Sequence, residues 1–567
     1  MKGVLSLLLA LLLSGFGLPA LQARVVCTQT LPGGVEINVI SPFENTPLNR
    51  ARPLRVEITN PTRETRHWRL EKQHHGGSYQ AGFTVEAGQK RSFPLVIPVA
   101  PTDSNAYFYF FVFGNEPGLP VSFTLQHQNA GFSGASPKPG MMLAMGRKIG
   151  VQTLEPLKNH FDKEIKGCLN ATQIDELPEE WRAYEGIDLI LMTLDEWNDA
   201  TPAAQRALRQ WVVSGGELAL ATADPRQIPF PVATGTTAPY GLGRVRHVAY
   251  DGKPLPPAPI AQWLAAHSTE RSTYSPRPFA PNAEKLGIGV RKVPASLVLV
   301  ALIVMVGIIG PFNLFWLAPA GRRHRLFVTT PLLSLAGCLF LLVVILLHDG
   351  TGGSGQRFSL HCLVPQEPEE VVYQQQLSHT GLILSTGFTL GEAALPSFIF
   401  QNHQSDPTLE ASGDSLSGTW FRSRCLQAME IGNVRSTRAA LTLTGAAADG
   451  APIVLSSLPA PVETLYLRDR EGRYWRGENI RPGEKATLTA AQANACRQWL
   501  KEISKTTLYP GNRTTALFNK LPDDQRPDIF YALGPETGPI ATLPSIRWKK
   551  DLAFHVGTLT RTGEARP

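Results

Sequence analysis

Three side chains that can carry acid–base chemistry lie in or directly after predicted strands in the middle of the chain. They are Asp195, Asp224 and His247. A hydrolase or transferase could use such carboxylates and an imidazole as general acid and base. Open α/β sheets also bind ligands at the carboxyl ends of their strands, so Asp195 or Asp224 could contact a ligand there. Their linear spacing matches no known catalytic motif, and we predict no catalytic residue.

The adjacent pair His74-His75 is a candidate for metal binding. A structural or catalytic zinc site needs at least three protein ligands, and the pair has no carboxylate or third ligand close to it in the sequence. Such a pair is more typical of a polar turn. We therefore predict no metal site and no bound cofactor.

The cysteines are scattered and form no CxxC or Cys/His motif. We expect most of them to be small buried apolar residues. If the folded parts face an oxidising compartment, Cys27 could pair with Cys168, or two of Cys362, Cys425 and Cys496 could pair. The sequence does not choose between these pairings.

The composition argues for a protein with a local apolar excess. The chain has 567 residues, of which 43% are hydrophobic and 18% charged, and its formal net charge is +7. No run of five or more Lys or Arg occurs, and no basic helix is interleaved with aromatic residues. We expect no nucleic-acid partner, and we look for the apolar excess in membrane segments.

The first 23 residues have the features of a signal peptide. Lys2 precedes the apolar run VLSLLLALLLSGFGL, and the segment ends in LQA before Arg24. Gly15, Gly17 and Pro19 disfavour a retained helix at the position where a peptidase needs an extended chain. We predict cleavage near Ala23 and export of the chain that follows.

Two further segments, 293–317 and 326–347, are uncharged and long enough to cross the roughly 30 Å hydrocarbon core of a bilayer. The loop between them, residues 318–325, contains three arginines and His324, which the positive-inside rule places in the cytoplasm. We predict a two-pass inner-membrane protein whose N- and C-terminal regions are both periplasmic. Gly310-Pro311 should kink the first span.

Residues 24–138 alternate short apolar runs with turn residues, which predicts an all-β domain. Leu54, Val56 and Ile58 fall on one face of a predicted strand, and Arg55 and Glu57 fall on the other. Several strands at this spacing are typical of an immunoglobulin-like β-sandwich.

The period changes near Met141, and residues 139–290 are predicted to form an α/β domain. A buried-type strand at 187–192 precedes an amphipathic helix that begins at Thr201-Pro202 and ends at Gly215-Gly216. A second strand follows at 217–222. This order predicts a βαβ unit of a parallel sheet.

The runs DLILMTLDEW, AQRALRQWVVSGGELALAT and YGLGRVRHVAYD resemble the degenerate class I glutamine amidotransferase-like domain of large bacterial membrane proteins. The segment GPFNLFWLAPAGRRHRLFVTTPLLSL resembles the transmembrane hairpin that follows that domain. The resemblance covers residues 141–355. It implies a flavodoxin-like fold, and it implies a place near MoxR-type ATPases and von Willebrand A-domain proteins.

The amidotransferase reaction needs a cysteine thiolate on a tight turn between a strand and a helix, with a His/Glu pair to activate it. After Thr222 this chain reads ADPRQIP, and Cys168 precedes the strands in question. His247 is followed by Val248, Ala249 and Tyr250, so no H-x-E motif is present. We therefore expect the fold without its chemistry.

Residues 348–567 are predicted to form a β-rich extracytoplasmic domain. The Gly-rich stretch 351–358 is predicted to be a flexible tether, and residues 489–504 are predicted to form a helix. Trp420 and Trp475 are expected in the core or at an interface.

Three functions remain open from the sequence. The favoured hypothesis is a non-enzymatic periplasmic binding or scaffold protein, anchored in the inner membrane and working with other envelope proteins. The first alternative is an envelope hydrolase or transferase with an unrecognised site. The second is an accessory subunit of a transport system; neither predicted span contains the charged residues that ion pathways need, so this chain alone is not predicted to transport.

Overall fold

The computed structural model describes residues 24–43, 51–73, 78–98, 107–115, 118–126, 140–149, 151–161, 163, 168–174, 176–230, 237–271, 288, 295–350, 352–365, 367–391, 393–401, 407–412, 415–507 and 513–561. The predicted signal peptide and the pair His74-His75 lie outside them. The chain forms two compact units, Met1–Tyr274 and Ser275–Pro567. Mixed sheets dominate both units.

The first unit begins with antiparallel strands. They are β1 (Arg24–Thr30), β2 (Glu36–Ser41), β3 (Arg52–Asn60), β4 (Arg66–Gln73), β5 (Ser78–Val85), β6 (Gln89–Ile97), β7 (Tyr107–Phe113) and β8 (Val121–Gln126). One sheet has the order β1-β2-β3-β6, and the order β5-β4-β7-β8 occurs in another. Leu54, Val56 and Ile58 are buried, as their alternation predicted. Phe83 and Phe93, whose ring centroids are 5.0 Å apart, join the two sheets.

A parallel sheet follows in the same unit. Its strands are β9 (Gly140–Gly146), β10 (Cys168–Ile174), β11 (Leu189–Thr193), β12 (Glu217–Thr222), β13 (Thr237–Tyr240) and β14 (Gly243–Ala249), in the order β10-β9-β11-β12-β14-β13. Only the edge strand β13 is antiparallel to its neighbour. Every residue of β11 and β12 is buried, because helices cover such sheets on both faces.

The helices of this sheet are α1 (Val151–His160), α2 (Leu194–Asp199), α3 (Pro202–Val213) and α4 (Pro257–Arg271). The predicted start of α3 is confirmed: the Thr201 hydroxyl accepts a hydrogen bond from the Ala204 amide, 3.1 Å away, and Pro202 is the first helical residue. Gly215 ends the helix with a φ of +112°. A Cβ on Gly216 would overlap the indole of Trp211, so the Gly-Gly pair serves both the turn and the packing.

The second unit contains the two apolar helices. The first is α5 (Ala295–Gly307), which continues as a π-helix (Ile308–Leu317), and the second is α6 (Leu326–Asp349). Within them, Leu299–Leu317 and Arg323–Val344 are long and apolar enough to cross a membrane, and only 6% and 0% of these spans are buried. At Gly310-Pro311, where a kink is predicted, the helix widens into π geometry, which also accommodates a missing backbone donor.

The strands and remaining helices of the second unit follow α6. They are β15 (Gly353–Leu363), β16 (Glu369–Thr380), β17 (Gly387–Leu390), β18 (Leu395–Gln401), β19 (Thr408–Ser412), β20 (Ser415–Thr419), β21 (Leu426–Ser436), β22 (Leu441–Ala446), β23 (Pro452–Ser456), β24 (Val462–Arg468), β25 (Tyr474–Ile480), β26 (Lys485–Thr487), β27 (Thr489–Ala491), α7 (Ala493–Thr507), α8 (Arg513–Phe518), β28 (Ile529–Pro535), β29 (Ile546–Thr558) and β30 (Thr560–Arg561).

A nine-stranded sheet, β18-β21-β16-β15-β29-β28-β24-β25-β27, is the centre of the second unit. Its pairings are antiparallel except for that of β15 with β29. A second sheet has the order β26-β23-β22-β30, and β17-β20-β19 form an antiparallel group. Trp420 and Trp475 are buried, as expected.

One local prediction in this unit was wrong, and the start of a correctly predicted helix was misplaced. From Gly353 onward, the Gly-rich stretch after α6 belongs to strand β15 and is not a flexible tether. A Cβ on Gly355 would lie 2.6 Å from the Leu377 carbonyl oxygen, so this glycine permits close strand packing. The predicted helix at 489–504 begins instead at Ala493, because residues 489–491 pair with β25.

Candidate functional site

The parallel sheet of the first unit brings Asp195 and Asp224 to the carboxyl ends of β11 and β12. Asp195 lies in the first turn of α2, is largely exposed, and has the Lys148 ammonium 3.9 Å away. Asp224 accepts a hydrogen bond of 3.0 Å from the Arg226 amide at the start of a short 3₁₀ turn. Both carboxylates therefore have local partners.

His247 lies within β14, and its Nε2 is 3.0 Å from the Thr222 carbonyl oxygen. Among the described residues, no hydrogen bond or ion pair joins any two of Asp195, Asp224 and His247. The structure places the three in one sheet without assembling them into an acid–base group.

Glu196 occupies the carboxyl edge of this sheet. Its carboxylate accepts hydrogen bonds from the Lys148 amide (2.7 Å), the Thr193 amide (2.8 Å) and the Thr193 hydroxyl (2.9 Å). It lies so close to Gly146, the last residue of β9, that a Cβ there would overlap it. The capping box of α2 thus fills the space between the ends of β9 and β11.

The cysteines among the described residues are not joined in disulfides. Cys362, Cys425 and Cys496 are separate buried thiols, and Cys27 is half-buried and free. Burial raises the pKa of the Cys496 thiol to about 12, so it is held as an inert apolar side chain. The expectation of small buried residues holds for these three, and no conditional pairing among the described cysteines is formed.

A buried cluster that the sequence did not single out lies on the nine-stranded sheet. His361 on β15 is directly paired with His555 on the parallel strand β29. Glu370 on β16 lies two residues from Val372, the partner of His361, and therefore on the same face. Arg435 on β21 is paired with Glu370, and Glu536 follows the end of β28. Strand register brings the first four residues together, and the segment after β28 adds Glu536.

His361 is held between two carboxylates. Its Nδ1 is 3.1 Å from Glu370 Oε2, and its Nε2 is 2.8 Å from Glu536 Oε2. The guanidinium Nε of Arg435 donates to Glu370 Oε1 at 2.6 Å, and the Gly538 amide donates to Glu536 Oε1 at 2.8 Å. Both carboxylates are thus oriented by a second donor.

His555 stacks on His361 with ring centroids 4.4 Å apart. It is 4% exposed, and its Nδ1 is buried without a hydrogen-bond partner. An orphaned polar atom in the interior is destabilising unless something satisfies it. His555 is the one member of the cluster whose ring nitrogens make no hydrogen bond among the described residues.

The pKa values of the two imidazoles in the cluster are shifted in opposite directions. Burial alone would lower the pKa of His361, but the hydrogen bonds that its ring donates to the Glu370 and Glu536 carboxylates outweigh burial and raise that pKa to about 9. Burial would raise the pKa of Glu370, but His361 and Arg435 lower it to about 2. Burial, with the nearby charge of His361, lowers the pKa of His555 to about 3, so His555 is neutral.

The chain after β28 covers this face of the sheet. The Ile540 carbonyl oxygen accepts hydrogen bonds from Gln374 (2.8 Å) and Gln376 (3.1 Å), and its amide donates to Gln374. Thr542 donates to Gln376 at 2.8 Å. Buried polar groups therefore line the contact between the sheet and the covering segment, with Gln374 and Gln376 on the same face of β16 as Glu370.

A groove in the first unit lies between the sheet of β1-β2-β3-β6 and residues 176–183. Its volume is about 280 Å³, and its walls include Pro42, Pro53, Pro94 and Leu95. An ion pair between Arg55 and Glu176 crosses its lining. Concave, mostly apolar surfaces between packed layers are where proteins bind ligands or partner segments.

A scan against protein-family models and a search of the curated proteins found no match for this chain. The likeness to amidotransferase-like membrane proteins therefore stays a prediction from the residues quoted above.

Proposed function

We propose that this chain is an inner-membrane-anchored periplasmic binding protein that holds a partner protein of the cell envelope. The pair of long apolar helices, exposed along almost their whole length, is the observation that carries the proposal. Such a surface is stable only when lipid or other apolar groups cover it, and a bilayer supplies that cover.

The proposed topology places the arginine-rich turn in the cytoplasm and both folded units in the periplasm. Arg322, Arg323 and Arg325 are the basic residues of this turn, and two crossings return the chain to the side from which it came. The proposed signal peptide supplies the starting side. The hairpin is then an anchor that carries one unit at each of its ends.

The non-enzymatic part of the proposal rests on the parallel sheet. In the amidotransferase-like domain that we propose here, the nucleophile would stand on the turn after β12, where this chain has Ala223 and Asp224. Glu196 fills the neighbouring edge as part of a helix cap. The arrangement supports a domain kept for its shape, next to a proposed immunoglobulin-like sandwich.

The groove beside the first sheet is the proposed docking surface. Its prolines and aliphatic side chains suit a short apolar segment of another envelope protein. The ion pair of Arg55 and Glu176 suits polar residues next to that apolar segment. By resemblance, a von Willebrand A-domain protein of a MoxR-linked system is the partner class proposed. Binding of nucleic acid is not part of the proposal.

The test is site-specific photocrosslinking in living cells. A photoreactive amino acid at Ser92, which lines the groove, should capture a discrete protein that mass spectrometry identifies as an envelope component. The same amino acid at Lys253, whose side chain is 80% exposed in the same unit, should not capture it. Equal capture from both positions, or none from Ser92, contradicts the groove as the docking surface.

A further inference from the structure

The cluster around His361 has the donor set of a transition-metal site. His361, Glu370 and His555 each offer one ligand atom, and these atoms lie within 4.8 Å of one another in the interior of the second unit. Two imidazoles with a carboxylate are a common ligand set for zinc and for other divalent metals of intermediate softness. We propose that this cluster binds a single zinc ion, with these three side chains as ligands.

The spacing of the donors is compatible with this ion. Zinc bonds of about 2.0–2.2 Å in a tetrahedron hold the ligand atoms roughly 3.3–3.6 Å apart. The described donors are already within 4.8 Å, so rotation of side chains closes the difference without moving a strand. Parallel pairing of His361 with His555 fixes the two rings side by side.

The surroundings of each ligand are those that a metal site requires. A metal-bound histidine normally donates its second ring N–H to a carboxylate, and Glu536 stands 2.8 Å from His361 Nε2 for that purpose. Glu370 keeps one oxygen on Arg435 and turns the other toward His361. His555 Nδ1 is buried without a partner, and its ring is therefore available for a ligand.

Metal binding exchanges a proton for the ion. The proton that bridges His361 Nδ1 and Glu370 leaves when zinc takes its place, because a ligating imidazole nitrogen must carry a lone pair. Arg435 Nη2 is 3.5 Å from the same nitrogen, and the guanidinium, on a side chain 30% exposed, can tilt away from it while its Nε stays on Glu370. The remaining coordination position is left for water.

The proposed site joins strands that are far apart in the sequence. β15 is the first strand after the membrane helix α6, and β29 is close to the end of the described chain. A metal bound to β15, β16 and β29 stabilises the folded form of this unit, since the unfolded chain does not hold these three ligands together. The role inferred is to hold these three strands together, because all three ligands are buried between them.

The test measures zinc binding by the full-length protein in detergent, purified with a tag that contains no histidine. After removal of bound metal with a chelator, the wild type should take up one zinc per chain in competition with a chromophoric chelator, and cobalt should give the visible absorption of a tetrahedral site. His247→Gln, which alters a histidine of the other unit, should bind as the wild type does. Absence of stoichiometric uptake by the wild type overturns the proposal.

His555→Gln is the diagnostic variant, because His555 makes no hydrogen bond that its loss would break. It should bind zinc about tenfold or more weakly, and hydrogen exchange of β15 and β16 without metal should match the metal-free wild type. If exchange is faster in His555→Gln, a second variant, Glu536→Gln, becomes the test. Its amide oxygen still faces His361, and the variant should bind zinc about 10–100-fold more weakly than the wild type. If Glu536→Gln binds zinc as tightly as the wild type does, the proposed site is wrong.

Discussion

The carboxyl edge of the parallel sheet and the His361 cluster of the nine-stranded sheet show opposite relations between sequence and site. At the first, the expected acidic residues are present, but Glu196 fills the edge and Asp195 remains largely exposed. At the second, no motif is visible, yet His361 and its carboxylates are buried and mutually hydrogen-bonded. The carboxyl edge of a parallel sheet can be occupied by a capping carboxylate of its own chain, and strand register can gather a buried polar cluster elsewhere.

The largest expected effect comes from a pair of histidine substitutions that contrast the two regions. His361→Gln leaves the buried Glu370 and Glu536 without their shared cation, which should cost about 3–5 kcal/mol in the second unit. His247→Gln removes one contact to a backbone carbonyl and should cost about 1 kcal/mol in the first. Hydrogen exchange of β15 and of β12 measures each. Similar losses of stability in the two variants would contradict the difference proposed between the His361 cluster and the parallel sheet.

The second prediction concerns the filled edge of the parallel sheet. Gly146→Ala pushes a methyl group into Glu196 and should cost about 1–3 kcal/mol, because the capping box holds that carboxylate in place. Glu196→Ala alone loses the cap and should cost about 1 kcal/mol. In the double variant the methyl group enters the space that the Glu196 side chain has left. The loss of stability in the double variant should therefore be less than the sum of the two single losses. Strict additivity in hydrogen exchange of β9 would show that Glu196 does not fill the edge.

The smallest effect tests the other face of the nine-stranded sheet, where Glu430 accepts a 3.0 Å hydrogen bond from the Thr514 amide. Burial raises the pKa of Glu430, so the folded state favours its protonated form. Its contribution to stability is full below the unfolded pKa and is lost as pH rises through the folded pKa. Glu430→Gln should therefore gain about 1 kcal/mol at neutral pH, because the neutral amide avoids the cost of a charged carboxylate in the interior.

The check for Glu430→Gln is the difference between variant and wild type in thermal unfolding of the second unit, measured from acidic to neutral pH. That difference should grow as pH rises and vanish in acid. A difference that does not change with pH would mean that Glu430 does not titrate in the folded state. Glu463→Gln, at an exposed position of β24, is the matched control.

Local signals in the sequence predicted much of the first unit. Thr201-Pro202 and Gly215-Gly216 mark the ends of α3, because a capping hydroxyl and a positive φ are properties of single residues. The uncharged spans of the second unit predicted two long apolar helices for the same reason, since length and polarity are local quantities. The alternation through Leu54 and Ile58 predicted which face of β3 is buried.

The polar cluster could not be predicted in this way. His361 is 9 residues from Glu370 but 175 from Glu536, and only the pairing of β15 with β29 brings His555 beside it. Gly355 misled the prediction of a tether, because glycine serves close packing of strands as well as flexibility. No particular strand was predicted at His361 or Glu370, so their burial, where charged groups need partners, was not anticipated.

We propose that both folded units lie on the periplasmic side of the inner membrane and that the arginine-rich turn lies in the cytoplasm. Single cysteines at Lys253, Arg323 and Glu463, all exposed positions, report on the first unit, the turn and the second unit. In cells with a permeabilised outer membrane, an impermeant maleimide should label Lys253→Cys and Glu463→Cys, and Arg323→Cys only after the inner membrane is broken. Labelling of Arg323→Cys in intact spheroplasts would contradict this topology. Protection of Lys253→Cys or Glu463→Cys from the maleimide would contradict it as well.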